Sequence, residues 1–163
     1  MLRVLKSLSV LAMLIGPLPA LAQLVDMGFV NGWNIMKDPS LGNGCLIQTV
    51  YEDKSLVRIG YDGENNRGYF TVFNKNWGQV EAGKSYPVSF SLDDQKFDVT
   101  AIGFEQNGVP GGTVFFTDRA FVDSIAQARN MVVRNPQGAQ VMAIDLSGSA
   151  KALDYARRCQ AGN

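Results

Sequence analysis

The sequence predicts a mainly β protein, an antiparallel β-sandwich or barrel with two short helices. Short apolar segments alternate with clusters of turn residues along most of the chain. Over residues 86–92, apolar and polar side chains alternate strictly, which is typical of an antiparallel strand with one face on a core. Strands at this regular spacing favour a sandwich or barrel over alternating β-α units.

The first 22 residues have the pattern of a secretory signal peptide. In order they carry two basic residues, a short apolar run, two prolines and two small residues: Arg3, Lys6, residues 8–15, Pro17, Pro19, Ala20 and Ala22. The apolar run is less than half the roughly 20 residues needed to span a bilayer, so it does not predict a membrane anchor.

We therefore predict a signal peptide over residues 1–22 and a single β-rich domain over residues 23–163. The 141 residues that follow the leader are enough for one domain with a real core. We expect the mature protein to be periplasmic or secreted, with no stable membrane span after the signal is removed.

The predicted strands are separated by short turns. They cover residues 29–35, 45–51, 56–61, 68–73, 86–92, 97–104, 113–116, 131–134 and 140–146. Pro87 lies on the polar face of its strand and cannot donate to a ladder, which predicts a sheet edge at that point. The pair Asn107-Gly108 is a strong hairpin signal, and we expect a loop over residues 107–112.

Two amphipathic segments predict the helices. The first runs from Asp118, a suitable N-cap, to Arg129. The second follows Ser147 and Ser149, whose hydroxyls we interpret as helix caps. Its apolar face includes Cys159, so a disulfide from that position would pin the C-terminal helix to the sheet.

The chain has two cysteines, Cys45 and Cys159. In the oxidising compartment of an exported protein, two thiols most simply form one disulfide. Closing a loop of this length removes chain entropy worth roughly 4–5 kcal/mol in the loop-entropy model. A reactive thiol pair and a metal site are the alternatives, although there is no Cys-x-x-Cys spacing and no histidine to complete a zinc shell.

Charge and composition exclude several function classes. The chain has 15 basic and 15 acidic residues, and without Arg3 and Lys6 the mature part keeps 13 basic residues against 15 acidic ones. The basic residues are scattered, so we expect no nucleic-acid partner. The absence of histidine from the sequence excludes Ser-His-Asp and Cys-His catalysis. We expect no enzyme activity and no cofactor.

Three local features are candidates for a site. Asp93 and Asp94 form an acidic pair that we interpret as a turn, with carboxylate chemistry as the alternative. The acidic loop over residues 62–67 fails the EF-hand pattern because Arg67 stands where glycine is needed, but a looser calcium contact stays open. Trp77, in a polar turn after an aromatic strand, is the candidate binding residue.

Several short motifs occur together in this chain. They are Gly32-Trp33 in an early strand, Cys45 in another, Phe73-Asn74 followed by Trp77, Gly83-Lys84-Ser85-Tyr86 at the start of a strand, and Leu146-Ser147-Gly148-Ser149-Ala150 before Cys159. In these motifs the chain resembles small exported alphaproteobacterial proteins of unassigned function. More distantly, it is similar to the invasion-associated locus B proteins. The resemblance covers most of the mature chain and implies an exported β-rich fold, and no catalytic residue carries over.

These features predict an exported, non-enzymatic protein that acts by binding an envelope component or a protein partner. One alternative is an inhibitor of an exogenous hydrolase, a protease or lysozyme, which would use a rigid loop over residues 107–112. Another is a hydrolase that uses carboxylates such as Asp93, Asp94 and Asp98.

Overall fold

The computed structural model describes residues 23–78, 80–118 and 120–162, and the predicted signal peptide lies outside these residues. The described elements are, in chain order, β1 Val25–Val30, β2 Trp33–Asp38, a 3-10 turn Pro39–Leu41, β3 Gly44–Val50, β4 Leu56–Asp62, β5 Arg67–Phe73, β6 Ser85–Leu92, β7 Gln95–Gln106, β8 Val109–Phe116, α1 Ala120–Gln127, β9 Asn130–Arg134, β10 Gln140–Asp145 and α2 Ser149–Ala161.

The strands form one antiparallel sheet in the order β1-β2-β3-β4-β5-β8-β7-β6-β9-β10. Trp33 in β2 donates from Nε1 to the backbone oxygen of Ser147, just after β10, at 3.1 Å. Opposite ends of a sheet meet in this way only when the sheet curls. The predicted mainly β architecture is confirmed as a curled, open sheet, which the terms sandwich and barrel describe loosely.

One face of the sheet packs with both helices to form the core. Helix α2 lies against β2, β3 and β4, while α1 packs against α2 and β5. Val122 and Ile125 of α1 are fully buried, as are Ala152, Leu153 and Ala156 of α2. Residues at these spacings of one, three and four positions lie on one side of a helix, so each helix presents one apolar stripe to the sheet.

The predicted disulfide is confirmed. Cys45 in β3 and Cys159 in α2 are bonded, with their Cα atoms 6.0 Å apart. Next to it, the backbone N–H of Cys45 donates to the side-chain oxygen of Gln160 at 3.0 Å. The C-terminal helix is therefore fixed to the sheet both covalently and by a hydrogen bond.

The prediction of one strand over residues 29–35 is wrong, because a hairpin turn interrupts it. Asn31 and Gly32 have φ values of 48° and 90° and connect β1 to β2. Two successive positive φ values favour Asn-Gly, the strongest short hairpin signal in a sequence. The turn places Trp33 at the start of β2, where it is 2% exposed.

The predicted loop over residues 107–112 is wrong beyond its first two residues. Val109 begins β8, and Gly111 and Gly112 pair with β5 on one side and β7 on the other. The turn therefore consists of Asn107 and Gly108. A hydrolase inhibitor would have a two-residue turn here rather than a six-residue rigid loop.

The helix ends also differ from the prediction. Helix α1 covers Ala120–Gln127, shorter than the predicted 118–129. At the start of α2, Gly148 is the N-cap and no side chain caps the helix. Gly148 has φ 82°, and a Cβ there would clash with the backbone oxygen of Asn31. The hydroxyl of Ser149 is buried without a hydrogen-bond partner among the described residues, so the serine-cap interpretation is wrong.

The edge predicted at Pro87 is confirmed. Strand β6 pairs with β7 along its whole length, but with β9 only from Ser89 to Leu92. At Pro87, β6 therefore has a neighbour on one side, and its missing N–H leaves no gap in a ladder on the other. Within the described ranges, none of the helices is long and apolar enough to cross a membrane.

Candidate functional site

An apolar cleft of about 390 Å³ lies on the core face of the sheet. The helices cover this face mainly over β2 to β5, and the cleft occupies the part over β5 to β10. The strands contribute Phe70, Val72, Val114, Gly112, Ala101, Val88, Phe90, Val133 and Val141 to its lining. Loop residues Trp77 and Val80 line it on one side, and Pro136 of the β9–β10 turn lines it on another.

Two small residues leave the cleft open. Ala101 in β7 and Gly112 in β8 both line the cleft. A Cβ built on Gly112 would have one atom within 4 Å, the Cβ of Ala101 at 3.8 Å. The space above these two residues is therefore not filled by their own side chains, whereas neighbouring Val114 and Phe90 fill the core beside it.

Hydrogen bonds fix the loop that carries Trp77. The side-chain oxygen of Asn74 accepts from the N–H of Asn76 at 2.8 Å, and the Asn74 backbone oxygen accepts from the N–H of Trp77 at 3.0 Å. Asn74 is itself buried, with its side-chain amide donating to the Ser55 hydroxyl at 2.8 Å. Trp77 is half-buried and packs against the core, and these hydrogen bonds hold its loop in place.

The sequence-predicted binding residue Trp77 is thus in the wall of this cleft. Its role in binding stays a prediction. The other lining residues gave no distinct sequence signal, because a valine on an apolar strand face is expected to pack in a core. The clue in the sequence was the pair of small residues, Ala101 and Gly112, on otherwise apolar faces.

Two side-chain oxygens in the lining accept hydrogen bonds from nearby backbone N–H groups. The Tyr86 hydroxyl accepts from the backbone N–H of Glu81 at 2.9 Å. The side-chain oxygen of Asn135 accepts from the N–H groups of Gln137 and Ala139 at 3.1 and 2.9 Å. No charged side chain is among the described residues that line the cleft. Its interior therefore offers dispersion and hydrophobic contact rather than ionic recognition.

The opposite face of the sheet carries a half-buried charged group, Arg58. Its Nε and Nη1 atoms donate to the side-chain oxygens of Gln48 and Gln106 at 2.9 and 2.7 Å. Its guanidinium lies 5.3 Å from the ring centroid of Phe73. Burial lowers the pKa of Arg58, while burial raises the pKa of neighbouring Tyr69. Gln48, Gln106 and Phe73 hold the guanidinium in place, which is a structural role.

The acidic candidates have structural partners. Asp93 lies in the β6–β7 turn, and its carboxylate accepts from the backbone N–H groups of Arg129 and Asn130, the latter at 3.0 Å. Its neighbour Asp94 is exposed in the same turn. Asp98, on β7, lies 3.6 Å from the Lys96 ammonium.

Asp62, the first residue of the predicted acidic loop, is 1% exposed. Its carboxylate accepts from the backbone and side chain of Asn65 at 3.0 and 2.8 Å and from Arg67 at 2.8 Å. Burial alone would raise the pKa of Asp62, but these hydrogen bonds outweigh it and hold the pKa below its ordinary value. In the described part of the chain, no three histidine, cysteine or acidic residues are grouped to hold a metal ion.

No family model matches this chain, and no curated protein matches it. Among solved structures, the chain is similar to invasion associated protein B from Bartonella henselae. The TM-score is 0.58 at 12% sequence identity, over 82% of this chain and 97% of that chain. What the two proteins share is the fold. This agrees with the distant similarity to invasion-associated locus B proteins found in the sequence.

Proposed function

We propose that this protein is an exported, non-enzymatic binding protein whose ligand site is the apolar cleft beside Trp77. The observation that carries the proposal is a preformed cleft of about 390 Å³ with a fixed wall and an uncharged lining. Sites for small molecules are concave, mostly apolar and largely preformed, with volumes of about 300–1,000 Å³.

Two features support export. The leader pattern over residues 1–22 meets the requirements of a cleaved signal. The disulfide between Cys45 and Cys159 fits an oxidising compartment, in which such bonds persist. We propose the periplasm, or release from it, as the place where the protein binds an envelope component or another partner.

Three features of the chemistry-bearing residues support the proposal that the protein is not an enzyme. The sequence has no imidazole to serve as a proton shuttle. Asp93 and Asp62 are engaged in hydrogen bonds that order turns. Among the described residues that line the cleft, none carries a charge that would activate a nucleophile or stabilise charge in a transition state.

Titration with the uncharged apolar dye N-phenyl-1-naphthylamine tests the binding proposal. We expect saturable dye fluorescence with the wild type and its loss in Gly112→Ile, since the new side chain fills the cleft. The matched control is Ala143→Ile, an exposed position on β10 outside the cleft, which should bind dye like the wild type. Equal dye binding by both variants, or no binding by the wild type, would contradict the proposal.

N-terminal sequencing of protein recovered from the periplasmic fraction tests export. We expect a first residue of Gln23 and no free thiols under non-reducing conditions. Protein with an intact leader in the cytosol, with Cys45 and Cys159 both reduced, would contradict it.

A further inference from the structure

The shape and chemistry of the cleft beside Trp77 restrict what it can hold, provided that the proposed binding function is correct. Its lining comes from six neighbouring strands, in sheet order β5, β8, β7, β6, β9 and β10. Neighbouring strands are about 4.8 Å apart, so the lining extends over as much as about 24 Å of the curled sheet. The cleft has a volume of about 390 Å³.

The lining of the cleft favours a ligand whose buried part has no polar atoms. The oxygens of Tyr86 and Asn135 already accept hydrogen bonds from the backbone. Most of the remaining wall is apolar, for example Val88, Val114 and Phe70. A polar group placed among them would lose its hydrogen bonds to water without replacement, and that loss opposes binding.

The rim differs from the interior. Asn76, which lines the cleft, is exposed, and the exposed residue Lys75 immediately precedes it. A positive charge at the rim favours a ligand whose polar end is an anion held in solvent. An apolar interior with an exposed cationic residue next to one of its lining residues is complementary to an alkyl chain that ends in a carboxylate.

We propose that the cleft binds a free fatty acid, with one unbranched alkyl chain between the sheet and Trp77 and the carboxylate at the rim near Lys75. A diacyl lipid has two chains, and a cleft at the lower end of the size range of small-molecule sites holds one. Because each buried methylene contributes about 0.8 kcal/mol, shortening the chain weakens binding about fourfold per methylene.

Quenching of tryptophan fluorescence by 11-bromoundecanoate, kept below its micelle concentration, tests the proposal. The chain has two tryptophans, and Trp33 is buried in the core whereas Trp77 lines the cleft. We expect saturable quenching in the wild type and its loss in Trp77→Phe, which keeps Trp33 as the emitter. 6-Bromohexanoate, five methylenes shorter, should bind about a thousandfold more weakly.

The variants that test dye binding serve here as well. Gly112→Ile should abolish quenching while its melting temperature stays at or above that of the wild type, which separates a filled cleft from an unfolded protein. Ala143→Ile should be quenched like the wild type. Vesicles of brominated diacyl phosphatidylcholine should not quench, because the site holds one chain.

Three outcomes would overturn the inference: equal affinity for the two bromo acids, quenching that survives in Gly112→Ile, or quenching by the brominated vesicles as strong as that by 11-bromoundecanoate. If N-phenyl-1-naphthylamine binds in a Gly112→Ile-sensitive manner but 11-bromoundecanoate does not, the fatty acid is wrong and the binding function stands. If neither ligand binds, the fatty-acid inference and the proposed binding function are both wrong.

Discussion

Tyr51 and Asp145 join distant parts of the curled sheet through one hydrogen bond. The Tyr51 hydroxyl, just after β3, donates to the backbone oxygen of Asp145 at the end of β10 at 2.6 Å. Together with the bond from Trp33 to Ser147, it holds the edge strand β10 near strands β2 and β3 without a ladder between them. The same curl turns β5 to β10 into a concave surface, on which the cleft lies.

Removing this hydroxyl tests its contribution to the curl. We expect Tyr51→Phe to lower the free energy of unfolding by about 1 kcal/mol, since the ring stays and one hydrogen bond is lost. Urea denaturation measures the change. Tyr155→Phe, at an exposed position on α2, is the control and should leave the midpoint unchanged. Equal midpoints for the wild type and Tyr51→Phe would show that the bond does not stabilise the fold.

The disulfide is expected to contribute more to the free energy of unfolding than the Tyr51 hydrogen bond does. Cys45 and Cys159 are separated by 114 positions, so the bond restricts most of the unfolded chain. We expect the double variant Cys45→Ala/Cys159→Ala to lose about 2–5 kcal/mol of unfolding free energy in denaturant. The loss should be accompanied by faster amide exchange in α2, the element that the bond ties to β3. Unchanged stability would contradict this role.

Arg58 is expected to stabilise the face of the sheet opposite the cleft. Arg58→Ala removes the donors to Gln48 and Gln106 and the packing over Phe73. Hydrogen bonds to charged groups contribute about 1.5–3 kcal/mol, so we expect a loss of about 2–3 kcal/mol in urea denaturation. Arg58→Met keeps most of the aliphatic packing and should lose less. Dye binding in the cleft should persist in Arg58→Met, because this face is separate from it.

The lowered pKa of Asp62 predicts a specific dependence of stability on pH. Hydrogen bonds from Asn65 and Arg67 outweigh burial and hold its folded pKa below the ordinary value of 3.8. Its contribution to stability is therefore complete above that ordinary value and is lost as the pH falls through the lower folded pKa. We expect Asp62→Asn to be less stable than the wild type at neutral pH, with a smaller loss of stability on acidification.

Denaturation between pH 7 and about pH 2 measures this difference. Asp145 keeps some acid dependence in the variant, since the hydrogen bond from Ser147 also lowers its pKa. If the wild type and Asp62→Asn lose stability in parallel on acidification, the ion pair with Arg67 does not contribute as the geometry indicates.

Local sequence patterns predicted most of the strands and both helices. The alternation over residues 86–92 and the turn at Asn107 depend on neighbouring residues alone, and both are present in the structure. The hairpin at Asn31 had the same local signal, but the apolar residues on both sides of it suggested one continuous strand. At Gly148, the glycine cap depends on a close approach of Asn31 from across the chain, which no local pattern contains.

The cleft was predictable only in part. Trp77 stood out because a large aromatic residue in a polar turn is unusual. Val88, Val114 and Val133 become neighbours around one space only after β8, β7, β6 and β9 take their order in the sheet. That order depends on long-range pairing, so periodicity within each strand shows which face is apolar but not where the apolar face remains unfilled.

A crystal structure of the protein grown with 11-bromoundecanoate tests the central claim most directly, because bromine can be located by its anomalous scattering. We expect one bromine peak inside the cleft, between Trp77 and the floor formed by Ala101 and Gly112, with the carboxylate near Lys75. A cleft without bromine in crystals that bind it elsewhere, or a carboxylate buried at the floor, would contradict it.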